Sequence, residues 1–133
     1  MVIQSGYDKE KIREIAKACG SKAVKQSVSF LERMNYLQPE KMVVEIIDGV
    51  AFYGAVICKN HLRLYEIAVK SEYQKRGYGR LMIQRLKKVC RENGLERITF
   101  RTSKAEDAVK FYRRIGADII AEKFDDWEME LKV

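Results

Sequence analysis

The stretch Leu62-Arg-Leu-Tyr-Glu-Ile-Ala-Val-Lys-Ser-Glu-Tyr-Gln74-Lys-Arg-Gly77-Tyr-Gly79-Arg-Leu-Met82 decides the reading of this chain. Residues 62–69 carry the Leu, Tyr, Ile and Val of a strand, and from Gly77 onward the apolar residues recur at helical spacing. A strand that enters a helix through a glycine turn leaves the first helical N–H groups without backbone partners. Gly77 and Gly79 let that backbone approach a ligand with no Cβ in the way, and the positive end of the helix dipole lies behind it. The result is a site for a phosphate-type anion, with Lys75, Arg76 and Arg80 adding mobile positive charge.

Upstream, residues 41–47 and 50–59 are rich in Val, Ile, Phe and Tyr, and Asp48-Gly49 between them is a hairpin signal. Asn60-His61 makes a second tight connection into the strand at residue 62, so three antiparallel strands precede the glycine turn. Before them, residues 1–4 read as a short strand. Asp8 caps a helix whose apolar positions are Ile12, Ile15, Ala16 and Cys19, with Gly20 ending it. A second helical pattern runs through Val24, Val28, Leu31 and Met34, and Pro39 closes the region.

Downstream, residues 77–93 predict a helix with Met82, Ile83, Leu86, Val89 and Cys90 on one face, stopped by Gly94. Residues 96–102 read as a strand. Residues 105–115 read as a helix with Ala108, Phe111, Tyr112 and Ile115 on one side, stopped by Gly116. Residues 117–124 and 127–133 close the chain as two strands joined by a turn at Asp125-Asp126. This order predicts an α+β (mixed α/β) fold, a mostly antiparallel mixed sheet with flanking helices. Sequential antiparallel strands ahead of the glycine turn exclude a dinucleotide-binding βαβ fold, which alternates strands and helices from its start.

With 133 residues, 47% of them hydrophobic, the chain predicts one compact core and a single domain over residues 1–133. A net charge of +7 attracts anions. No apolar run approaches the roughly 20 residues of a membrane span, and the N-terminus lacks a signal-peptide layout, so a cytoplasmic protein is expected. Cys19, Cys58 and Cys90 form no close pair and His61 is the only histidine. These residues read as core thiols and a turn residue rather than a disulfide framework, a zinc site or a Cys/His nucleophile.

Gln74-Lys-Arg-Gly77-Tyr-Gly79 resembles the Gln/Arg-x-x-Gly-x-Gly/Ala signature of the GCN5-related N-acetyltransferases, the GNAT family. It follows a strand ending Ile67-Ala68-Val69, opens an amphipathic helix, and is trailed by Lys110-Phe111-Tyr112-Arg-Arg-Ile-Gly116-Ala117, which resembles the family's second motif. The resemblance implies a GNAT-type acyl-CoA N-acyltransferase fold, with acetyl-CoA as acetyl donor in a cleft where the fourth and fifth strands splay apart, and no metal. It implies that the turn from Gln74 through Lys75, Arg76, Gly77, Tyr78 and Gly79 to Arg80 binds the pyrophosphate. Ile67, Ala68 and Val69 would pair with the pantetheine arm, one of their amides polarising the thioester carbonyl. Phe111 would lie beside the cofactor, and Tyr112 aligns with the tyrosine that protonates the departing thiolate. A phenol can donate that proton, and a tyrosine at a helical apolar position can equally well be packing its ring on the sheet.

An ammonium acceptor must lose a proton before it attacks, and Glu66 is the leading base, with an ordered water or a plain strand glutamate as the alternatives. Strict alternation puts Leu62, Leu64 and Glu66 on one face, and only a β-bulge, common in relatives at this place, would turn Glu66 to the other. Positions where some relatives carry an acid are occupied by Arg63 and Arg101. Where the family often has a cofactor-bonding asparagine, the chain reads Thr102-Ser103-Lys104, so Ser103 or Lys104 would substitute. Asp125 and Asp126 beside Trp127 could meet a cationic amine or form a polar hairpin tip.

The implied activity is transfer of the acetyl group from acetyl-CoA directly to a primary amine of a small molecule, peptide or protein. Lys9, Lys11, Arg13, Lys17, Lys22 and Lys25, with Lys87, Lys88 and Arg91, leave open an RNA-linked activity on aminoacyl-tRNA. A catalytically silent acetyl-CoA-binding module is the third reading. Monomer and homodimer are both compatible with the sequence.

Overall fold

The computed structural model describes residues 1–21 and 24–133, apart from the side chains of Lys25 and Gln26. In chain order the elements are β1 (Ile3–Ser5), α1 (Lys9–Ala18), α2 (Val24–Leu37), β2 (Met42–Ile47), β3 (Ala51–Ile57), β4 (Leu62–Val69), α3 (Tyr78–Glu92), β5 (Arg97–Ser103), α4 (Glu106–Arg114), β6 (Asp118–Lys123) and β7 (Asp126–Lys132). Single 3-10 turns at Pro39–Lys41 and Ser71–Tyr73 were not expected from the sequence. The strands form one seven-stranded sheet in the order β1-β2-β3-β4-β5-β7-β6. Every pairing is antiparallel except β4 with β5. The mixed, mostly antiparallel architecture read from the sequence is the one observed.

Helices cover both faces because the strands alternate. Ile12, Ile15 and Ala16 of α1 and Val28 and Leu31 of α2 bury against Val44, Ile46, Phe52 and Ala68 on one face. On the other, Met82, Ile83, Leu86 and Cys90 of α3 bury against Tyr53, Ala55, Leu62, Leu64, Ile98 and Phe100. Helix α1 starts where Asp8 accepts from the Lys11 amide at 3.2 Å, the cap read from the sequence. The three cysteines are unpaired, Cys19 and Cys90 buried and Cys58 half-buried. No helix among the described residues is long and apolar enough to cross a membrane.

Several boundaries differ from the sequence reading for physical reasons. The first strand lies at Ile3–Ser5 rather than residues 1–4, because Ile3 pairs with Ile47 while the Val2 amide is taken by Asp48 Oδ1 at 2.7 Å. The second helix runs on to Leu37 and is followed by the 3-10 turn that Pro39 opens. The last hairpin turns at Phe124-Asp125 rather than Asp125-Asp126. Phe124 takes the positive φ of +57°, and Asp126 is already paired with both Lys123 and Ser103.

Candidate active site

The parallel pair β4–β5 is held only at its start, Leu62 against Ile98 and Arg63 against Thr99. Beyond those two pairs the strands part. At the parting point the register of β4 against β3 slips: Ala55 pairs with Leu64 and Gly54 with Glu66, so Tyr65 is the extra residue of a β-bulge. The bulge resets the alternation. Leu64 and Ile67 pack with the α3 side of the sheet, while Tyr65 and Ala68 pack with the α1–α2 side. Glu66 follows Ala68 rather than Leu64, and its carboxylate lies by Ser27 of α2.

A cavity of about 660 Å³ occupies the gap between the two strands. Its walls include Leu64, Glu66, Ile67, Ala68 and Val69 of β4, Thr102 and Ser103 of β5, Tyr112 of α4, and Ser27 and Phe30 of α2. Two titratable groups meet there from opposite faces of the sheet. Burial drives the Glu66 carboxyl up to about 6, against the lowering pull of the Ile67 amide and Ser27. Burial also raises the Tyr112 phenol, and the nearby Glu66 charge raises it further. The Tyr112 ring is fixed by Phe100 and Phe111, with centroid distances of 4.5 and 5.2 Å. At pH 7 this pairs a carboxylate able to accept a proton with a phenol holding one.

Beyond the cavity, the turn into α3 presents its backbone. The first amide to bond back into the helix is that of Leu81, to the Gly77 carbonyl at 3.0 Å. The amides of residues 75 to 80 donate to no backbone or side-chain acceptor among the described residues. A run of open N–H groups at a helix start fits a pyrophosphate. Gln74 is the exception in the stretch read as an anion cradle: its amide closes the preceding 3-10 turn on Ser71 at 3.3 Å. Its side chain ties the Cys19 and Val69 carbonyls, both at 3.1 Å.

The two glycines serve different ends. Gly77 caps α3 at φ +94°, where a side chain would be strained, though a Cβ there would meet nothing within 4 Å. Gly79 is needed for packing, since a Cβ would lie 2.9 Å from Phe111 Cζ. Phe111 therefore locks α4 against the start of α3. Tyr78 points away from the turn, donating to Asp48 Oδ2 at 2.9 Å. Arg76 lies over the Tyr73 ring at 5.0 Å, and Lys75 and Arg80 make no ion pair among the described residues.

On the α1–α2 side of the cavity, Arg63 grips Glu128 through both guanidinium ends, and Arg101 faces Asp126 at 3.5 Å. Lys104 sits over the Trp127 ring at 4.4 Å and pairs with Glu122, outside the cavity, whereas Ser103 lines it. Sequence reasoning missed Phe30, Tyr65 and Ser27. Phe30 falls off the apolar stripe of α2, which was the available signal, while the place of Tyr65 depends on a bulge that no residue announces. Of the N-terminal cations, Lys9 and Arg13 both pair with Glu32, and Lys11 bonds Gln4. Lys22 and the side chain of Lys25 lie outside the described residues.

Comparison with known proteins agrees with this geometry. Among curated protein sequences none matches the chain. The PaiA N-acetyltransferase from Thermoplasma acidophilum, solved in complex with coenzyme A, superposes with a TM-score of 0.76 at 14% identity, covering 100% of each chain. The ribosomal-protein-S18-alanine N-acetyltransferase from Escherichia coli gives 0.76 at 17% identity over 98% of this chain and 92% of its own. An aminoglycoside 6'-N-acetyltransferase complexed with coenzyme A gives 0.74 at 15% over 99% and 97%. These likenesses establish a shared fold. The family model for the acetyltransferase (GNAT) family matches residues 9–117, which takes in α1 through α4 and both motifs. The chain belongs to the GNAT family of acetyl-CoA-dependent acetyltransferases.

Proposed function

We propose that the chain is an N-acetyltransferase that moves the acetyl group from acetyl-CoA directly to a primary amine. The observation that supports it best is continuity: six open amides at the start of α3 lead along the splayed edge of β4 into a cavity where Glu66 and Tyr112 meet. The amides of residues 75 to 80 hold the pyrophosphate. The backbone of Ile67, Ala68 and Val69 aligns the pantetheine arm as an added strand would. Glu66 takes the proton of the attacking ammonium, directly or through a water, and Tyr112 returns one to the thiolate. Gln74 braces the turn through its side chain, and Phe111 acts through its packing on Gly79.

The solved relatives named above differ in acceptor, a ribosomal protein in one and an aminoglycoside in another, so the shared fold does not choose between them. The pairing of Lys9, Arg13 and Lys11 with groups of their own chain gives less support to a nucleic-acid surface. The decisive experiment measures thermal stability and free-thiol release together. Acetyl-CoA at a hundredfold excess over its Kd stabilises the fold by about 2.7 kcal/mol, and an amine panel then yields thiol. Stabilisation with no thiol released from any amine would instead identify a silent binding module.

A further inference from the structure

The acceptor half of the cavity, toward α1 and α2, has nearly all its charge internally matched. Among the described residues, four charged ones line the cavity: Arg63, Glu66, Arg101 and Asp126. Arg63 is committed to Glu128 by a two-nitrogen contact in which both side chains are largely buried, 19% and 15% exposed. Asp126 faces Arg101. Glu66 alone has no cationic partner among the described residues. A polycationic acceptor would bury ammonium groups with no carboxylate to meet them, which costs several kcal/mol for each group left unpaired. The site matches one ammonium.

Arg101 is the least committed arginine of the cavity. Its Nη2 donates to the Lys123 carbonyl at 3.2 Å and lies 3.5 Å from Asp126, while Nε and Nη1 have no partner among the described residues. The side chain is 44% exposed. A guanidinium with an open edge binds a carboxylate through two parallel bonds, and the Asp126 and Lys123 contacts orient that edge. The rings of Phe30 and Tyr65, which line the same cavity, stack at 4.5 Å with a 34° tilt. That wall suits a flat apolar group.

We infer that the acceptor is a small zwitterionic amine with an apolar, ring-bearing side group, the chemistry of a free aromatic α-amino acid. Arg101 binds its carboxylate, Phe30 and Tyr65 pack its ring, and Glu66 faces its amine. The inference rests on the acetyltransfer reading above. In the step, Glu66 receives the ammonium proton, the freed amine nitrogen forms the bond to the acetyl carbon, and the carbon–sulfur bond breaks with its electron pair leaving on sulfur. Tyr112 supplies a proton to the thiolate, the second nitrogen proton, shed as the amide forms, restores the Tyr112 phenol, and Glu66 passes its proton to solvent. The products are an N-acetyl amino acid and free CoA.

The test is thiol release from acetyl-CoA with phenylalanine, phenethylamine, spermidine and kanamycin. The expected result is a kcat/KM for phenylalanine at least tenfold above the other three, and an Arg101→Gln variant in which phenylalanine and phenethylamine become comparable. The ratio between two acceptors within one variant is insensitive to the fraction folded. Spermidine, kanamycin or phenethylamine performing as well as phenylalanine, or an Arg101→Gln variant with an unchanged ratio, overturns the inference and leaves acetyltransfer standing. Silence with all four amines also overturns the inference, and the wider amine panel above then decides the acetyltransfer reading separately.

Discussion

Glu66 and Tyr112 reach one cavity from opposite faces of the sheet, and the carboxylate charge of the first adds to burial in raising the phenol of the second. The bulge at Tyr65 sets that arrangement, since without it Glu66 would share a face with Leu64, the side on which Tyr112 packs. In the proposed reaction the pair divides the proton work that acetyl transfer needs.

Removing the phenol tests its half of that work. Tyr112→Phe keeps the ring between Phe100 and Phe111, so the fold and the affinity for acetyl-CoA should persist. A fall in kcat of about a hundredfold is expected, in the range for a positioned acid. Steady-state thiol release with calorimetric binding checks both parts, and an unchanged kcat would reassign the proton donor.

The other half has a pH signature. With the Glu66 carboxyl at about 6, kcat/KM should rise tenfold per unit below pH 6 and level off above it, and Glu66→Gln should lose that limb. The stability effect has the opposite slope. The folded-state value is raised above 4.5, so the ionised form is the penalised one, and stability grows as pH falls through about 6 toward 4.5. The shift corresponds to about 2 kcal/mol. Denaturant melts of wild type and Glu66→Gln at pH 5 and pH 8 check this, with the variant gaining more at pH 8 than at pH 5.

The same carboxylate holds the Ile67 N–H, which donates to Glu66 Oε1 at 3.0 Å. If that amide polarises the thioester carbonyl, donor binding draws it off Glu66 and removes a bond that lowers the carboxyl. The kinetic limb measured with acetyl-CoA saturating should then lie above its position in the free protein. Comparing the kcat and kcat/KM profiles reads the difference, and identical limbs would leave the Ile67 amide outside the reaction.

The two glycines of the turn should fail in different ways. Gly79→Ala drives a Cβ to 2.9 Å from Phe111 and is expected to cost about 1–3 kcal/mol by overpacking. A Gly79→Ala, Phe111→Leu double variant should recover part of that loss. Gly77→Ala meets no atom, so it should lose about 1 kcal/mol to its φ of +94° alone, and no change at Phe111 should rescue it. Urea denaturation of the four proteins decides.

Away from the cavity, Arg85 binds both oxygens of buried Glu45, at 2.6 and 2.8 Å, and Tyr53 donates to the same carboxylate. Burial pushes the Glu45 carboxyl up, yet the bonds from Arg85 and Tyr53 together outweigh it and leave it below 4.5. A lowered carboxyl stabilises the fold above its unfolded value, and that contribution is lost as pH falls from about 4.5 through the folded one. Arg85→Ala strands the Glu45 charge and should cost about 3 kcal/mol at pH 7, shrinking toward pH 3. Chemical denaturation across that range is the measurement.

What the sequence by itself determined is local. Hairpin signals such as Asp48-Gly49, the Asp8 cap, the amphipathic period of α3 and the glycines of its turn each act through neighbours a few residues away, so most strands and helices were readable within a residue or two. Both motifs lie in such segments, which is why the donor side was legible. Tertiary structure decided what depends on partners far along the chain. The bulge that turns Glu66 toward α2 is set by pairing with Gly54 and Ala55, and the role of Gly79 by Phe111. The open edge of Arg101 exists because Glu128, its cross-strand neighbour, is claimed by Arg63 from β4. The acceptor site proposed above draws on side chains that converge from α2, β4, β5 and β7, and no spacing along the chain encodes that convergence.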